Sequence, residues 1–407
     1  MTTGRPPAGS AMRLGLLHNH YHLRGGEESV LEFEAELLAA RGHAVRRFDL
    51  FTDDWFHPPR ARALTLLWRT AWNRPMAERV RRWIRAEKLE VGHVHNWFPL
   101  FSPSVWRAHR EEGIPVLQTL HNFRMGCAAG TLTRAGSPCE LCLEGDRSHA
   151  VRHRCYRGSG LQTRLWKRTI DGMFSAEEAF TDVSMFLAPS RCVAEKHLAL
   201  GLPAERVKVL PHACPDPLAG REGRAVDPEA GAVFVGRLSP EKGLDVLLEA
   251  WRDLDVPLTL VGTGPMAETV ARFAEEHARV RWLRELPRER VFETLESAAF
   301  LVAPHLWNEA FGLTTIEAMA GGRAVVASAV GGPAESVVDG TTGRLVAPGD
   351  ADALRAAVLE LHRDPDSLLR LGRAARARYE TYFHPRVHAE ALESLVGELT
   401  NGRRAAA

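Results

Sequence analysis

No stretch of this 407-residue chain approaches the roughly 20 consecutive apolar residues of a membrane span. The apolar run after Arg13 is too short, and too polar beyond Leu17, for a signal peptide. Charge of one sign is lacking as well. With 52 Lys and Arg against 51 Asp and Glu the formal net charge is +1, which removes any global case for a nucleic-acid binder. These absences lead to the expectation of a soluble, cytoplasmic protein. Hydrophobic residues make up 45% and charged residues 25%, ordinary for a globular protein. The length points to two domains of roughly 150–200 residues each.

What is present is a repeated alternation of short apolar runs with helical patterns, the mark of parallel α/β layering. Met1–Ala11, polar and containing Pro and Gly, reads as a disordered tail. Strands are expected at Arg13–Leu17, Gly42–Phe48, Val91–His95, Pro115–Leu120, Leu187–Pro189 and Val207–Pro211, with a helix at Glu27–Arg41. After a polar linker, Asp216–Gly231, the pattern restarts with strands at Ala232–Val235, Pro257–Val261, Val280–Leu283, Ala299–Pro304, Arg323–Ser328 and Gly343–Val346. Helices are expected at Gly243–Trp251, Met266–His277, Val291–Ser297 and Thr314–Ala320, with Ala351–Glu380 as one helical stretch. A last helix, His388–Thr400, follows a break at Phe383–Pro385. The fold class is therefore α/β, with two doubly wound Rossmann-like domains facing a cleft. They comprise a first domain over 12–215 with a Cys-rich insertion at 122–158, a linker over 216–231, and a second domain over 232–385. The closing helix, 386–400, is expected to pack back on the first domain.

The segment Asn308–Gly322, NEAFGLTTIEAMAGG, carries the most chemistry. It sets Glu309 in the loop beyond a strand's carboxyl end and Glu317, eight positions on, in the first turn of the next helix. In an open α/β sheet that crevice is where ligands bind, and carboxylates there accept from vicinal hydroxyls of a sugar or ribose. The competing reading is local: Thr314–Glu317 fits a capping box, and Glu309 a solvated loop acid. Ala232–Gly243, AVFVGRLSPEKG, places Gly236, Arg237 and Lys242 at another strand's end. There a planar fork and a point charge would neutralise a pyrophosphate, unless both are simply solvated. Gly262–Pro265 is a second glycine turn, weak as a phosphate signal. Arg24–Glu27, with the pair Gly25–Gly26, opens the first helix and would bring backbone N–H groups to a phosphate or an acceptor.

Taken in order, VGRLSPEKG, LVGTGP, NEAFGLTTIEAMAGG and VGGPAESVVDGTTGRLVAPGD resemble the donor-binding domain of the family-4 retaining glycosyltransferases (glycosyl transferases group 1), which have the GT-B fold. The strand-RGGEE-helix unit extends the likeness over nearly the whole chain. The resemblance implies that Glu309 holds the donor sugar's hydroxyls and Glu317 accepts from the ribose. Arg237 and Lys242 would neutralise the diphosphate, while Gly236, Gly262 and Gly264 would line the donor. Phe311, Gly312 and Leu313 would offer backbone N–H groups. It also matches His121, after the strand VLQTL, to a histidine touching the donor sugar; the alternative is a local bond to Asn122. His95 and Asn96 are acceptor-site candidates by the same logic of strand ends.

Cys127, Cys139, Cys142 and Cys155 crowd into one segment around a C-x2-C pair. Tetrahedral zinc suits such thiolates, and His149 or His153 would substitute for one of them; unmodified thiols are the alternative. Arg60–Lys88 holds nine Lys or Arg against two Glu, with Trp68, Trp72 and Trp83 interleaved. This pattern suits either peripheral contact with an anionic membrane or a solvated helix with its Trp residues in the core. The expected activity is retaining transfer from a nucleotide diphosphate sugar to a glycan or lipid-linked hydroxyl acceptor, in cell-surface polysaccharide or glycolipid synthesis. No nucleic acid and no catalytic metal are expected. The rivals are a related nucleotide-sugar epimerase and a non-catalytic zinc-stabilised binding protein.

Overall fold

The computed structural model describes residues 11–21, 25–52, 69–175 and 180–404. The chain divides into two compact units. One comprises Met1–Gly130, Glu140–Leu210 and Ala389–Ala407; the other comprises Thr131–Cys139 and Pro211–His388. The strands are β1 (Arg13–His20), β2 (Ala44–Phe51), β3 (Val91–Asn96), β4 (Val116–Thr119), a short antiparallel pair β5 (Thr133–Arg134) and β6 (Ser137–Pro138), β7 (Met185–Ala188) and β8 (Val207–Val209). They continue with β9 (Ala232–Val235), β10 (Leu258–Val261), β11 (Val280–Trp282), β12 (Phe300–Ala303), β13 (Ala324–Ser328) and β14 (Gly343–Val346).

The first unit's sheet is six-stranded and parallel, in the order β2-β1-β3-β4-β7-β8. Its central strands are buried on both faces: every residue of β3 and β4 is buried, as expected when helices cover a parallel sheet on each side. Leu14, Val91, Leu117 and Leu187 form part of one core with Leu38 from the helix Gly26–Ala40. Leu392 and Val396 from the last helix, Pro385–Arg404, complete it. The Glu393 carboxylate of that helix takes hydrogen bonds from Arg41 at 2.6 and 2.8 Å and lies 2.9 Å from His43.

The second unit's sheet is also parallel, in the order β11-β10-β9-β12-β13-β14. Its core gathers Phe234, Leu260, Val302 and Val326 from the strands with Leu247 and Trp251 from the helix Leu244–Trp251. Each order reverses direction once, between β1 and β3 in the first unit and between β9 and β12 in the second. At such a switch point the flanking helices leave on opposite faces and open a crevice at the strands' carboxyl ends.

The single helical stretch expected over Ala351–Glu380 is two helices, Ala351–Arg363 and Pro365–Tyr382. Pro365 has no N–H to donate and disfavours helical backbone at Asp364. Asp364 then starts the next helix by accepting from the Ser367 amide at 3.0 Å. The last helix begins at Pro385 rather than His388. Of the basic, aromatic stretch, 60–68, including Trp68, lies outside the described residues, as do 1–10 of the expected tail. The remainder contains the helix Arg74–Glu87, which buries Met76, Val80 and Ile84. Arg81 pairs with Glu78 and Glu111, Arg85 with Glu112 at 2.6 Å, and Trp83 packs edge-on against Phe48. Trp72 is 42% exposed. No described helix is long and apolar enough to cross a membrane.

Candidate functional site

In the second unit β9 and β12 are neighbours at the switch point, and the residues beyond their ends carry the expected constellation. β9 runs into Gly236 and an exposed Arg237, then a single 3-10 turn, Pro240–Lys242. β12 runs through Pro304 to His305, Trp307 and Glu309. The Lys242 ammonium pairs with the Glu309 carboxylate and stands 5.3 Å from the centroid of the Trp307 ring. Burial alone would push the Glu309 carboxyl up. The Lys242 charge, with His305 and hydrogen bonds from Lys242 and Trp307, outweighs burial and holds it below the usual carboxylate range. His305, 4% exposed, is driven down to about 3 by burial and the Lys242 charge, against an opposing pull from Glu309. It is a neutral imidazole beside an ion pair.

Glu317 is not in the first turn. The helix runs Leu313–Ala320 with Gly312 as its N-cap, so the third helical position is Thr315 and no capping box forms. Glu317 is the fifth helical residue, 8% exposed, with Arg288 3.8 Å away. Burial raises its carboxyl and the Arg288 charge only partly offsets this. Phe311 is anchored in the core, 5% exposed, with its ring 5.1 Å from His212. The backbone of Phe311–Leu313 thereby enters the helix in a fixed path, and the first amides of a helix lack intrahelical partners.

Glycines set how closely these loops can approach. Gly243 has φ +75° and a Cβ there would lie 1.8 Å from the Pro304 carbonyl oxygen. The lysine-bearing turn can therefore press on the end of β12 only with glycine. At Gly262 a Cβ would meet the Gly236 oxygen at 1.9 Å, and at Gly264 the Leu238 oxygen at 2.4 Å. The glycine turn Gly262–Gly264 thus has a packing role against the Gly236–Leu238 backbone, secured by the Leu238 amide donating to the Thr263 oxygen at 2.9 Å.

In the first unit the ends of β1, β3 and β4 present histidines and carboxylates. His93 Nε2 lies 2.7 Å from the Thr119 hydroxyl and its Nδ1 2.7 Å from Glu34 Oε1. The same Glu34 oxygen is 3.3 Å from His95 Nε2, and His95 Nδ1 is 3.0 Å from His121 Nε2. Burial drives His95 down to about 4, aided by His93. His121, which is half-buried, shares a hollow with His95, Asn96, Asn122 and Arg124. Asn122 bonds Glu27, at 2.9 Å. Burial pushes the Glu27 carboxyl up to about 7, as does Glu28, while Asn122 and Arg124 oppose.

Asn96 has structural duties: its amide donates to the Asn19 oxygen at 2.7 Å, and its oxygen accepts from the Phe98 amide at 3.1 Å. The Gly25 amide donates to Glu28 Oε2 at 2.8 Å, so the glycine pair Gly25–Gly26 opens the helix with one N–H already engaged.

A zinc site on the cysteines is not confirmed. No disulfide joins them, and the sulfurs of Cys127, Cys142 and Cys155 do not all lie within 4.8 Å of one another. Among the described residues, the groups whose ligand atoms do converge that closely are His18, His20 and Glu28, and Glu34, His93 and His95. A C-x2-C spacing brings sulfurs together only when the chain between them turns tightly, and residue spacing alone does not require that turn.

Two family models match this chain: Glycosyl transferases group 1 over residues 221–378 and Glycosyltransferase Family 4 over residues 24–215. The chain belongs to this glycosyltransferase family. A phosphatidyl-myo-inositol mannosyltransferase of Mycolicibacterium smegmatis is 37% identical over 163 residues, 39% of this chain and 40% of the relative. An uncharacterised glycosyltransferase of Methanocaldococcus jannaschii is 27% identical over 264 residues, 64% of this chain and 69% of the relative. The chain thus spans well under two-thirds of the mannosyltransferase's length. Among solved structures, sucrose-phosphate synthase from Thermosynechococcus elongatus aligns with TM-score 0.69 and 21% identity, over 97% of this chain and all of that one. Anabaena HepE in complex with UDP aligns with TM-score 0.64 and 17% identity, over 95% and 100%. These likenesses show the fold, GT-B.

Sequence reasoning missed several groups in this glycosyltransferase family member. His305, two residues beyond β12, and Arg288, on the helix Arg288–Ser297, approach the two glutamates only in three dimensions. Gly331 and Gly332 were also missed. A Cβ at Gly331 would meet the Glu309 backbone at 2.6 Å, and the Gly332 amide donates to the Glu309 oxygen at 2.7 Å. The signal was in the GGP of VGGPAES, whose paired glycines mark a close backbone approach.

Proposed function

We propose that the protein transfers a glycosyl group from a nucleoside diphosphate sugar to a hydroxyl acceptor, with retention at the anomeric carbon. The observation that carries this reading is the half-buried Lys242–Glu309 pair at the second sheet's switch point, with the buried Glu317 on the next helix. Lys242 and the exposed Arg237 are the fixed cations for the diphosphate. Glu309 accepts from sugar hydroxyls, Glu317 from the ribose, and the amides of Phe311, Gly312 and Leu313 serve the same ligand. His121 contributes a contact to a sugar hydroxyl.

In the reaction the bond between the anomeric carbon and the diphosphate oxygen breaks as the acceptor oxygen bonds on the same face. The acceptor's proton passes to the leaving diphosphate. Negative charge grows on that group, so Lys242 and Arg237 act mainly in the transition state. Because Lys242 rests on Glu309 beforehand, its position is set before substrate arrives, which is what preorganised stabilisation requires. Two fixed cations leave no demand for a divalent ion. EDTA should leave turnover intact, and activity abolished by EDTA and restored by magnesium would refute this scheme. A structural zinc on the cysteines finds no support, since three of the sulfurs are not gathered.

The UDP bound in the HepE structure makes uridine nucleotides the first to try. Calorimetric titration with UDP and GDP tests the nucleotide site, and a hydrolysis screen of nucleotide sugars without acceptor identifies the donor. Product formed from the sugar nucleotide alone, with inverted configuration at a ring carbon, would favour an epimerase. For the acceptor, a glycan or lipid-linked alcohol at the inner membrane face fits relatives such as the phosphatidyl-myo-inositol mannosyltransferase. Vesicle co-sedimentation that ignores anionic lipid content would count against the membrane part.

A further inference from the structure

We infer that Glu34, acting through His95, is a positioning residue that holds His121 in the tautomer with its proton on Nε2, making Nδ1 the ring's accepting nitrogen. The inference deepens the reading of His121 as a sugar-hydroxyl contact and rests on it for its purpose, though not for its geometry.

The argument follows the protons. Glu34 is 3% exposed, and one of its oxygens faces two imidazole nitrogens, His93 Nδ1 at 2.7 Å and His95 Nε2 at 3.3 Å. Neither contact has the alignment of a hydrogen bond, but a negatively charged oxygen at these distances repels a nitrogen lone pair and favours an N–H, so both nitrogens carry their protons. His93 and His95 are 1% and 2% exposed, and a neutral imidazole has a single N–H. The remaining nitrogen of each is then an acceptor. His93 Nε2 takes the Thr119 hydroxyl proton at 2.7 Å, and His95 Nδ1, 3.0 Å from His121 Nε2, takes a proton from it. Reversing His95 would turn its lone pair toward the Glu34 charge, a like-sign arrangement in a buried setting. The direction of every bond from Thr119 to His121 therefore depends on one buried carboxylate on the helix Gly26–Ala40.

The order of the groups also explains why so many histidines are stacked at this edge. His93 and His95 lie with ring centroids 4.2 Å apart, and His95 and His121 at 5.2 Å. A second nitrogen fixed by a hydrogen bond is the usual way proteins choose a histidine's tautomer. The established use of such a partner is to orient the ring that meets the ligand.

Nuclear magnetic resonance of the full chain labelled with nitrogen-15 histidine tests this, since long-range proton–nitrogen correlations tell the protonated ring nitrogen from the one with a lone pair. His121, His95 and His93 are assigned by the loss of their signals in single His→Gln variants. The expected pattern is Nε2–H for His121 and His95 and Nδ1–H for His93. Glu34→Leu should shift the His121 ring nitrogens toward averaged values, and Glu34→Gln, which keeps an acceptor oxygen, should restore the native pattern.

An Nδ1–H His121 in the native chain overturns the relay, and so do His121 shifts that ignore Glu34→Leu. One equivalent of zinc retained by the native chain and lost from Glu34→Leu also overturns it, because the cluster is then a cation site. The native tautomer pattern is read without Glu34→Leu, so an Nδ1–H His121 overturns the relay even where that variant folds poorly, and Glu34→Gln then tests the carboxylate's part. If the tautomers are as stated but His121→Gln leaves nucleotide-sugar hydrolysis unchanged, the relay stands and the sugar contact fails. If both hold, Glu34→Leu should lower that hydrolysis about tenfold, on the scale of one hydrogen bond.

Discussion

The two units build their sheet edges from different materials. The first unit stacks imidazoles on buried carboxylates: His93 and His95 share Glu34, and His18 lies 3.6 Å from Glu28. The second presses glycine backbones together and places a lysine–glutamate ion pair on top. A network of neutral rings stores direction, because each proton position dictates the next. An ion pair held by close-packed backbone stores charge at a fixed point. The first suits recognition of hydroxyls, whose donors and acceptors must be matched. The second suits a phosphate that becomes more negative as a bond breaks.

Predictions that would break this comparison start with Lys242. Lys242→Ala should cut turnover about 10²–10³-fold, the scale of one lost preorganised charge contact. Steady-state rates with saturating donor would show it, and a loss confined to KM would mean the lysine only binds. Gly243→Ala should destabilise the second unit by at least about 2 kcal/mol, since backbone must retreat from a 1.8 Å overlap at Pro304. Urea unfolding measures this, and an unchanged midpoint would show that the turn moves freely.

Acid should distinguish the units in sign as well as size. His95, His109 and His197 of the first unit fall to about 4 through burial, below the ordinary value of 6.5. The unfolded chain therefore binds more protons than the folded one between those values, and stability is lost as pH drops from 6.5 toward 4. Glu27, raised to about 7 chiefly by burial, works the other way and contributes most below 4.5. Histidines outnumber it, at about 1.4 kcal/mol per pH unit for each net proton. In the second unit fewer histidines are lowered, His305 and His384, both chiefly by burial, and the raised Glu317 opposes them, so its response should be flatter. Hydrogen exchange at pH 7 and pH 5, corrected for intrinsic rates, should show the first unit's sheet losing more protection. Equal losses would refute the contrast. The smallest effect is Asp364→Ala, which removes a helix cap outside both edges. It should cost about 1 kcal/mol and leave donor affinity unchanged.

Much of the fold was readable because fully buried parallel strands appear as short apolar runs, and AFLVAP and VLQTL needed nothing else. The position of Glu309 beyond β12 followed from the same run. Glu317 was misplaced by two residues, about half a turn. The apparent cap Thr314 is inside a helix that starts at Leu313 and is capped by Gly312, where a positive φ of 82° lets the chain turn. His305, Arg288 and Glu34 were out of reach for another reason. Each acts on a residue from a different element or through a ring orientation, and spacing along the chain carries neither. The cysteines are a different case, since crowding in sequence did not gather the sulfurs of Cys127, Cys142 and Cys155 within 4.8 Å of one another.

The last helix has a consequence for how the molecule is made. Leu392, Val396 and Glu393 belong to the first unit, whose other parts end at Leu210. A ribosome adding roughly 5–20 residues per second delivers the second unit's entire sequence before those residues. The unit that begins first is thus the one whose sequence is completed last. Until its final helix emerges, it exposes an apolar strip to chaperones.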